Sequence, residues 1–291
     1  MRILVTGCTG FVGSALVKAL LSQGNTVYCA SRSGDCRENH PANHLSIDLS
    51  RPFSVNRLPS DLEYIVHAAA TMDKGLTCAE MFSTNVVSTL QLLEFGKNCR
   101  VRKFVFISSG AVYGYAGHPS CETDAPNPSD FYGASKQHSE MLVNFFGTCF
   151  STSILRLFYP YGEGQTKGII PRLYSSIIAG NPITIHPNDT PHINPIYISN
   201  VVDSIVKVMH SDNNQVLNIS GNEVVTIRGI ADLLSVKLGK DYDFIQSTEH
   251  IGDMVGSNQL LIQEIGFGSM VSLAEGLERF CSNVGNIDAD M

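Results

Sequence analysis

The chain lacks any run rich in lysine and arginine, and its 27 acidic residues outnumber its 20 basic ones for a formal net charge of −7. Nucleic acids are held through their phosphates, so this balance argues against nucleic acid as a partner. No apolar stretch approaches the roughly 20 residues needed to span a bilayer. The opening residues, MRILVTG, are strand-like and carry no basic n-region, apolar h-region or cleavage site. A cytoplasmic location with no membrane partner is expected. The eight cysteines (Cys8, Cys29, Cys36, Cys78, Cys99, Cys121, Cys149 and Cys281) are scattered singly, without a C-x-x-C pair or a zinc-type cluster. Reduced thiols follow. His40 and His44 have the spacing of a helical metal pair, but Pro41 between them would break that helix. They read as loop histidines, and no metal is expected. Internal repeats and low-complexity tracts are also missing.

What is present is an alternation. RILVT, TVYCAS, YIVHAAA, KFVFISS and TSILRLF are short runs rich in Val and Ile. Between them lie stretches with helical periodicity: SALVKALLSQG, FSTNVVSTLQLLEFGKN and YGASKQHSEMLVNFF. Strands separated by helices predict a parallel sheet covered on both faces, in an α/β, doubly wound arrangement of Rossmann type. With 291 residues the chain suits one large domain, or a nucleotide-binding domain with a smaller lobe. After about residue 158, Pro, Gly and Asn thicken across YPYGEGQTKG and GNPITIHPNDTPHINP. PRLYSSIIAG, SNVVDSIVKVMH, EVVTIRGIADLLSVKLG and SLAEGLERFCSNV read as further helices. Residues 1–158 are therefore expected to bind the nucleotide. Residues 159–291 would form the substrate lobe, with about 196–221 returning to the first domain.

Chemistry enters at TGCTGFVG, where Gly7, Gly10 and Gly13 stand between a strand and a helix. Glycine permits the tight turn, the approach of backbone N–H groups to a pyrophosphate and close packing of strand on helix. Phe11 and Val12, in the same turn, supply further backbone contacts. In YGASK, Tyr132 and Lys136 are four apart on a predicted helix, so their side chains share a face. A nearby ammonium favours the phenolate and would lower the tyrosine pKa, giving a proton donor and acceptor near neutral pH. Ser109, ending the strand KFVFISS, is placed to hydrogen-bond the same substrate oxygen.

With TGCTGFVG, HAAA at 67–70, Asn85 in TNVVST, ISSGAVYG, YGASK, LRLFYPYGEGQ and GDM…SNQLLIQEIGF, the chain resembles an extended short-chain dehydrogenase/reductase of the NAD-dependent epimerase/dehydratase family over nearly its whole length. The resemblance implies hydride transfer between a nicotinamide and a carbinol or carbonyl carbon of a small polar, sugar-derived substrate. Tyr132 would be the acid/base, Lys136 would hold the nicotinamide ribose and tune Tyr132, and Ser109 would position the substrate oxygen. Asp48 and Leu49 would lie at the adenine, and Ala68 and Asn85 beside the cofactor.

The chain also departs from the family. Dehydratases carry an Asp-Glu pair after the strand-end Ser/Thr; here stand Gly110 and Ala111, which argues against dehydration. Four positions that hold the substrate diphosphate in nucleotide-sugar epimerases are occupied by Tyr159, Gly168, Ile193 and His250. Lys167, Arg172, His192 or Arg228 could take their place, with Tyr159 also a substrate candidate. At the end of the second strand the usual acid is replaced by Ser31-Arg32-Ser33. A guanidinium fork with neighbouring hydroxyls suits a ribose 2′-phosphate, so NADP is expected, with NAD as the alternative. Three functions fit: an NADP-dependent reductase or dehydrogenase, a nucleotide-sugar epimerase with a tightly held cofactor, and a non-catalytic NADP-binding regulator. Apolar residues on more than one face of the helices near 82–95 (Phe82, Val86, Leu90, Leu93) and 132–147 (Met141, Leu142, Phe145, Phe146) predict a homodimer.

Overall fold

The computed structural model describes residues 1–32, 41–266 and 269–289. Ser33, Cys36, His40 and Phe267 lie outside them. Seven strands form one sheet: β1 (Arg2–Thr6), β2 (Thr26–Ser31), β3 (Asn43–Ser46), β4 (Tyr64–His67), β5 (Lys103–Ser109), β6 (Ser151–Leu157) and β7 (Gln215–Ile219), in the spatial order β7-β6-β5-β4-β1-β2-β3. Neighbours from β3 to β6 pair in parallel. The strand order reverses between β1 and β4, and in such sheets ligands bind outside the carboxyl ends of the strands at the reversal.

The helices are α1 (Phe11–Ser22), α2 (Cys78–Phe82), α3 (Ser88–Cys99), α4 (Phe131–Phe146), α5 (Ile169–Ala179), α6 (Ile198–Met209), α7 (Ile227–Leu238), α8 (Gln259–Ile265) and α9 (Leu273–Ala289). Local sequence explains several ends. Asp130 caps α4 by accepting from the Gly133 N–H at 2.7 Å. Thr77 and Glu80 form a reciprocal capping box at α2. The single helix predicted over 82–98 is instead α2 and α3 joined by a π-helical turn at Ser83–Val87. Periodicity alone gives no warning of a turn in which one residue is inserted. The helix expected from Glu223 starts only at Ile227, because Val225–Thr226 pairs with His192–Ile193 and Thr226 is its cap.

Two compact units divide the chain. The first comprises residues 1–114, 122–157 and 202–218. Its core is built from β5, whose Phe104, Val105 and Phe106 are fully buried, with Leu4, Ile65, Leu93, Val143 and Ile154 around it. Each such side chain contributes about 1.5–3 kcal/mol through burial. Lys103 is also buried there; its ammonium donates to Ser151 Oγ at 3.2 Å and to the carbonyls of Ser211 and Asn213, which satisfies it. The second unit comprises residues 115–121, 158–201 and 219–291. It contains the parallel pair Ile183–Ile185 with Phe244–Gln246, and the T-shaped contact of Tyr161 with Tyr197.

Candidate active site

β1 ends at Thr6, and the next residue, Gly7, turns with φ +70. A Cβ on Gly7 would stand 2.6–2.8 Å from backbone atoms of Ala68 and Ala69, and one on Gly13 would stand 2.1 Å from the Gly7 carbonyl oxygen. Both positions therefore demand glycine. Gly10 leads into α1 without a side-chain cap. The first N–H groups of a helix have no intrahelical acceptor, so Phe11, Val12 and Gly13 present donors where the helix dipole favours an anion. A pyrophosphate fits that cradle. Beneath it, Thr6 Oγ1 meets His67 Nδ1 at 2.7 Å, and His67 Nε2 meets Thr89 Oγ1 at 3.0 Å. Burial pushes the His67 pKa down to about 3, with the Lys136 charge adding to the effect, so the ring is neutral. Ala68 sits in the strand-end segment that faces Gly7.

At the end of β2, Ser31 is buried and its hydroxyl has no hydrogen-bond partner among the described residues, while Arg32 is exposed. Asp48 accepts from the Ser50 hydroxyl at 2.7 Å and from its N–H at 3.0 Å; these bonds, with Arg51 and Arg32 nearby, hold the carboxyl below its ordinary range. Leu49 is buried beside it. The Ser31 hydroxyl, without a partner among the described residues, and the exposed Arg32 fork suit the ribose end of a dinucleotide.

Three successive residues of β5 meet three residues of α4. The Ile107 carbonyl accepts from Lys136 Nζ at 2.7 Å, the Ser108 hydroxyl donates to Glu140 Oε1 at 2.5 Å, and the Ser109 side chain acts on the Tyr132 phenol by favouring its ionised form. Tyr132, Lys136 and Glu140 are spaced by four, so the helix presents them on one face. Lys136 Nζ also lies 4.6 Å from the Phe106 ring centroid. The expected lowering of the Tyr132 pKa is corrected: burial raises it to about 12, opposed by the Ser109 bond and reinforced by Asp130. Lys136 itself falls to about 7, because burial outweighs the attraction of Glu140. Asn85, in the π-helical turn, joins α4 to the segment after β4: its amide donates to Ser135 Oγ at 2.9 Å and to the Thr71 carbonyl at 2.9 Å, and it accepts from the Thr71 N–H at 2.8 Å.

The substrate candidates belong to the second unit. Lys167 and Arg172 line a cavity of about 430 Å³ with Thr166, Gly168 and Ser175, at the start of α5. His192 is not a free cation: its ring and its N–H both engage Asp253 Oδ1, at 3.0 and 2.6 Å. Arg228 is likewise engaged, 3.5 Å from Asp189 and stacked 4.3 Å from the Phe244 centroid. Tyr159 is held at φ +47, a conformation that asparagine tolerates far better than tyrosine. Among the described residues, no group of three His, Cys, Asp or Glu could hold a metal ion.

Sequence reasoning missed Glu140 and Arg156. Arg156 Nη2 and Nε donate to Glu140 at 2.6 and 3.0 Å, and its Nη1 donates to Tyr113 OH at 2.6 Å; both charged residues are buried. The signal was the continuation of YGASK by a carboxylate at the next helical turn.

The profile of the NAD dependent epimerase/dehydratase family matches residues 3–220. The dTDP-4-dehydro-6-deoxyglucose reductase of Escherichia coli is 26% identical, over 97% of each chain. Among solved structures, UDP-glucose 4-epimerase from Thermotoga maritima, with UDP-glucose, superposes with a TM-score of 0.90 at 25% identity, covering 99% of both chains. UDP-glucuronic acid 4-epimerase from Bacillus cereus, in complex with UDP-glucuronic acid and NAD, gives 0.89 at 25% identity, covering 99% of this chain and 100% of that one. Those structures share its fold. Among the described residues, no helix is long and apolar enough to cross a membrane. The chain belongs to the NAD-dependent epimerase/dehydratase family and is an enzyme.

Proposed function

We propose that the protein transfers a hydride between a nicotinamide dinucleotide held by the first unit and a carbinol or carbonyl carbon of a sugar nucleotide, with Tyr132 as the acid/base. The observation that carries this reading is the bond from Lys136 to the Ile107 carbonyl, two residues before Ser109, with Ser109 acting on the Tyr132 phenol at the same strand end. The nicotinamide, when bound, supplies or accepts the hydride. Tyr132 gives its proton to the substrate oxygen on reduction and takes it back on oxidation. A phenol with a pKa near 12 is protonated at neutral pH, so the resting chain is set for the reducing direction. Ser109 donates to the same oxygen, and Lys136 donates to the ribose. Gly110 and Ala111 provide no carboxylate, so elimination of water is not part of this chemistry.

Substrate class follows from the relatives, whose names specify dTDP and UDP sugars. Lys167 and Arg172, beside the uncapped start of α5, are the cations proposed for the diphosphate, since an anion there loses little and gains charge-assisted bonds. Ser31 and Arg32 favour NADP, because a carboxylate that would repel a 2′-phosphate is missing from the end of β2. The NAD in the Bacillus cereus structure supports the competing assignment. Epimerisation is the second reading, favoured by the likeness to the Thermotoga maritima enzyme.

The reading includes a homodimer through α4 and the end of α2, where Met141, Phe145 and Phe82 are exposed on a chain that buries most of its other large apolar groups. A cytoplasmic enzyme with reduced thiols is part of the same reading. The test is mass-spectrometric identification of the co-purified dinucleotide, then incubation with UDP-glucose and UDP-4-keto sugar. Stoichiometric NADPH oxidation identifies a reductase, and a C4 epimer without net cofactor change identifies an epimerase. A chain that binds neither NADH nor NADPH would overturn both.

A further inference from the structure

Glu140 sits at the third turn of the α4 face that carries Tyr132 and Lys136, and it is 4% exposed. Its carboxylate takes the Ser108 hydroxyl on one side and the fork of Arg156 on the other. Arg156 extends the chain of contacts to Tyr113, whose hydroxyl reaches Asn218 Oδ1 at 2.9 Å, and the Asn218 N–H donates to Glu122 at 2.7 Å. β5, α4, β6 and β7 are thereby tied together beside Ser109, all within the first unit.

A buried ion pair of this kind contributes little net stability, because taking two charges out of water costs several kcal/mol for each ion. Its value is more readily understood through Lys136. That ammonium is buried and, among the described residues, donates to the Ile107 carbonyl. The groups the structure sets beside it are Glu140, one turn on along its own helix, His67 on β4, and Phe106 and Ile107 on β5. His67 is neutral, and Glu140 is the carboxylate among these groups that favours the ammonium.

Building on the proposed hydride transfer, we propose that Glu140, oriented by Ser108 and Arg156, is a positioning residue that keeps Lys136 charged and aligned for the dinucleotide ribose. The step it serves involves no covalent change at Glu140.

Lys136 is read directly by NMR of protein labelled with ε-13C lysine, with Lys136→Met assigning the signal. Glu140→Gln is expected to lower the Lys136 titration midpoint by about 1–3 units, the range for loss of a nearby opposite charge. Glu140→Asp, which keeps a carboxylate, should restore most of it. In parallel, NADH and NADPH binding, followed by nicotinamide fluorescence, should weaken with rising pH at a midpoint that moves down in Glu140→Gln and returns in Glu140→Asp. Because Glu140→Gln leaves Arg156 without its counter-ion, the double variant Glu140→Met/Arg156→Met provides a second test with an apolar pair of similar volume. An unmoved Lys136 midpoint in a folded variant would overturn the proposal, as would a moved midpoint with no shift in dinucleotide binding. Failure of both variants to fold would assign Glu140 to the fold alone and overturn it too. None of these measurements uses a sugar substrate, so a wrong substrate class would show separately, as wild-type protein that binds the dinucleotide but leaves UDP-glucose unchanged.

Discussion

The carboxyl ends of β5 and β2 lie in the same sheet yet are built differently. At β5, Ile107, Ser108 and Ser109 each engage a side chain of α4, and Lys136 and Glu140 are removed from water. At β2, the Ser31 hydroxyl has no partner among the described residues and Arg32 is exposed. Proton transfer needs groups fixed before the substrate arrives, and low polarity strengthens every charge in such a site. Recognition of a ribose substituent works through a group that orders on contact, at some entropic cost.

If that contrast is correct, the largest loss comes from the buried end. Tyr132→Phe should cut turnover by about 10²–10⁴-fold, the usual contribution of a positioned proton donor, with dinucleotide affinity nearly unchanged. Steady-state rates and fluorescence titration check it, and near wild-type turnover would break the assignment. Next comes the turn that serves both ends. Gly7→Ala forces a Cβ into the Ala68–Ala69 backbone at a positive φ, so a loss of about 2 kcal/mol or more in stability is expected, with dinucleotide affinity falling too. Chemical denaturation measures the first and titration the second.

His67 sharpens the buried side through pH. Its folded pKa of about 3 is below the ordinary 6.5, so the unfolded chain binds the extra proton between these values. The stability that His67 contributes is thus fully present above pH 6.5 and is lost as pH falls toward 3, an effect on the order of a few kcal/mol. His67→Gln should flatten the acid limb of the stability profile over that window. An acid limb that is unchanged in the variant would show that the histidine is not held neutral.

The exposed end gives the smallest effect. Arg32→Ala should weaken NADPH by about 10–150-fold, equivalent to roughly 1.5–3 kcal/mol for bonds to a charged group, and NADH much less. Paired titrations at fixed salt decide it, since the contact is partly screened. Equal losses for the two cofactors would remove the case for NADP. Replacing Ser31 with Asp together with Arg32→Ala should move preference toward NADH, because the new carboxylate accepts from ribose hydroxyls and repels the phosphate.

Much of this was legible in the residues because it is local. The strand KFVFISS, the glycines of TGCTGFVG and the helix from Phe131 are each specified by neighbours within one or two turns. The π-helical turn at Asn85 escaped, since a single inserted residue leaves the apolar pattern almost intact. Arg156 read only as part of a strand, and its link to Glu140 joins residues 16 apart. His192 and Arg228 looked available as cations until Asp253 and Asp189 were found beside them.

The sequence by itself determined the alternation that makes a parallel sheet, the glycine turn after β1 and the four-residue spacing that places Tyr132, Lys136 and Glu140 on one helix face, because backbone geometry follows short-range pattern. Only the tertiary structure decided the charge states: Tyr132 near 12, Lys136 near 7 and His67 near 3. Each is set chiefly by loss of water, and how much water a group loses depends on packing partners such as Phe106 and Thr89 that the chain brings together from distant positions.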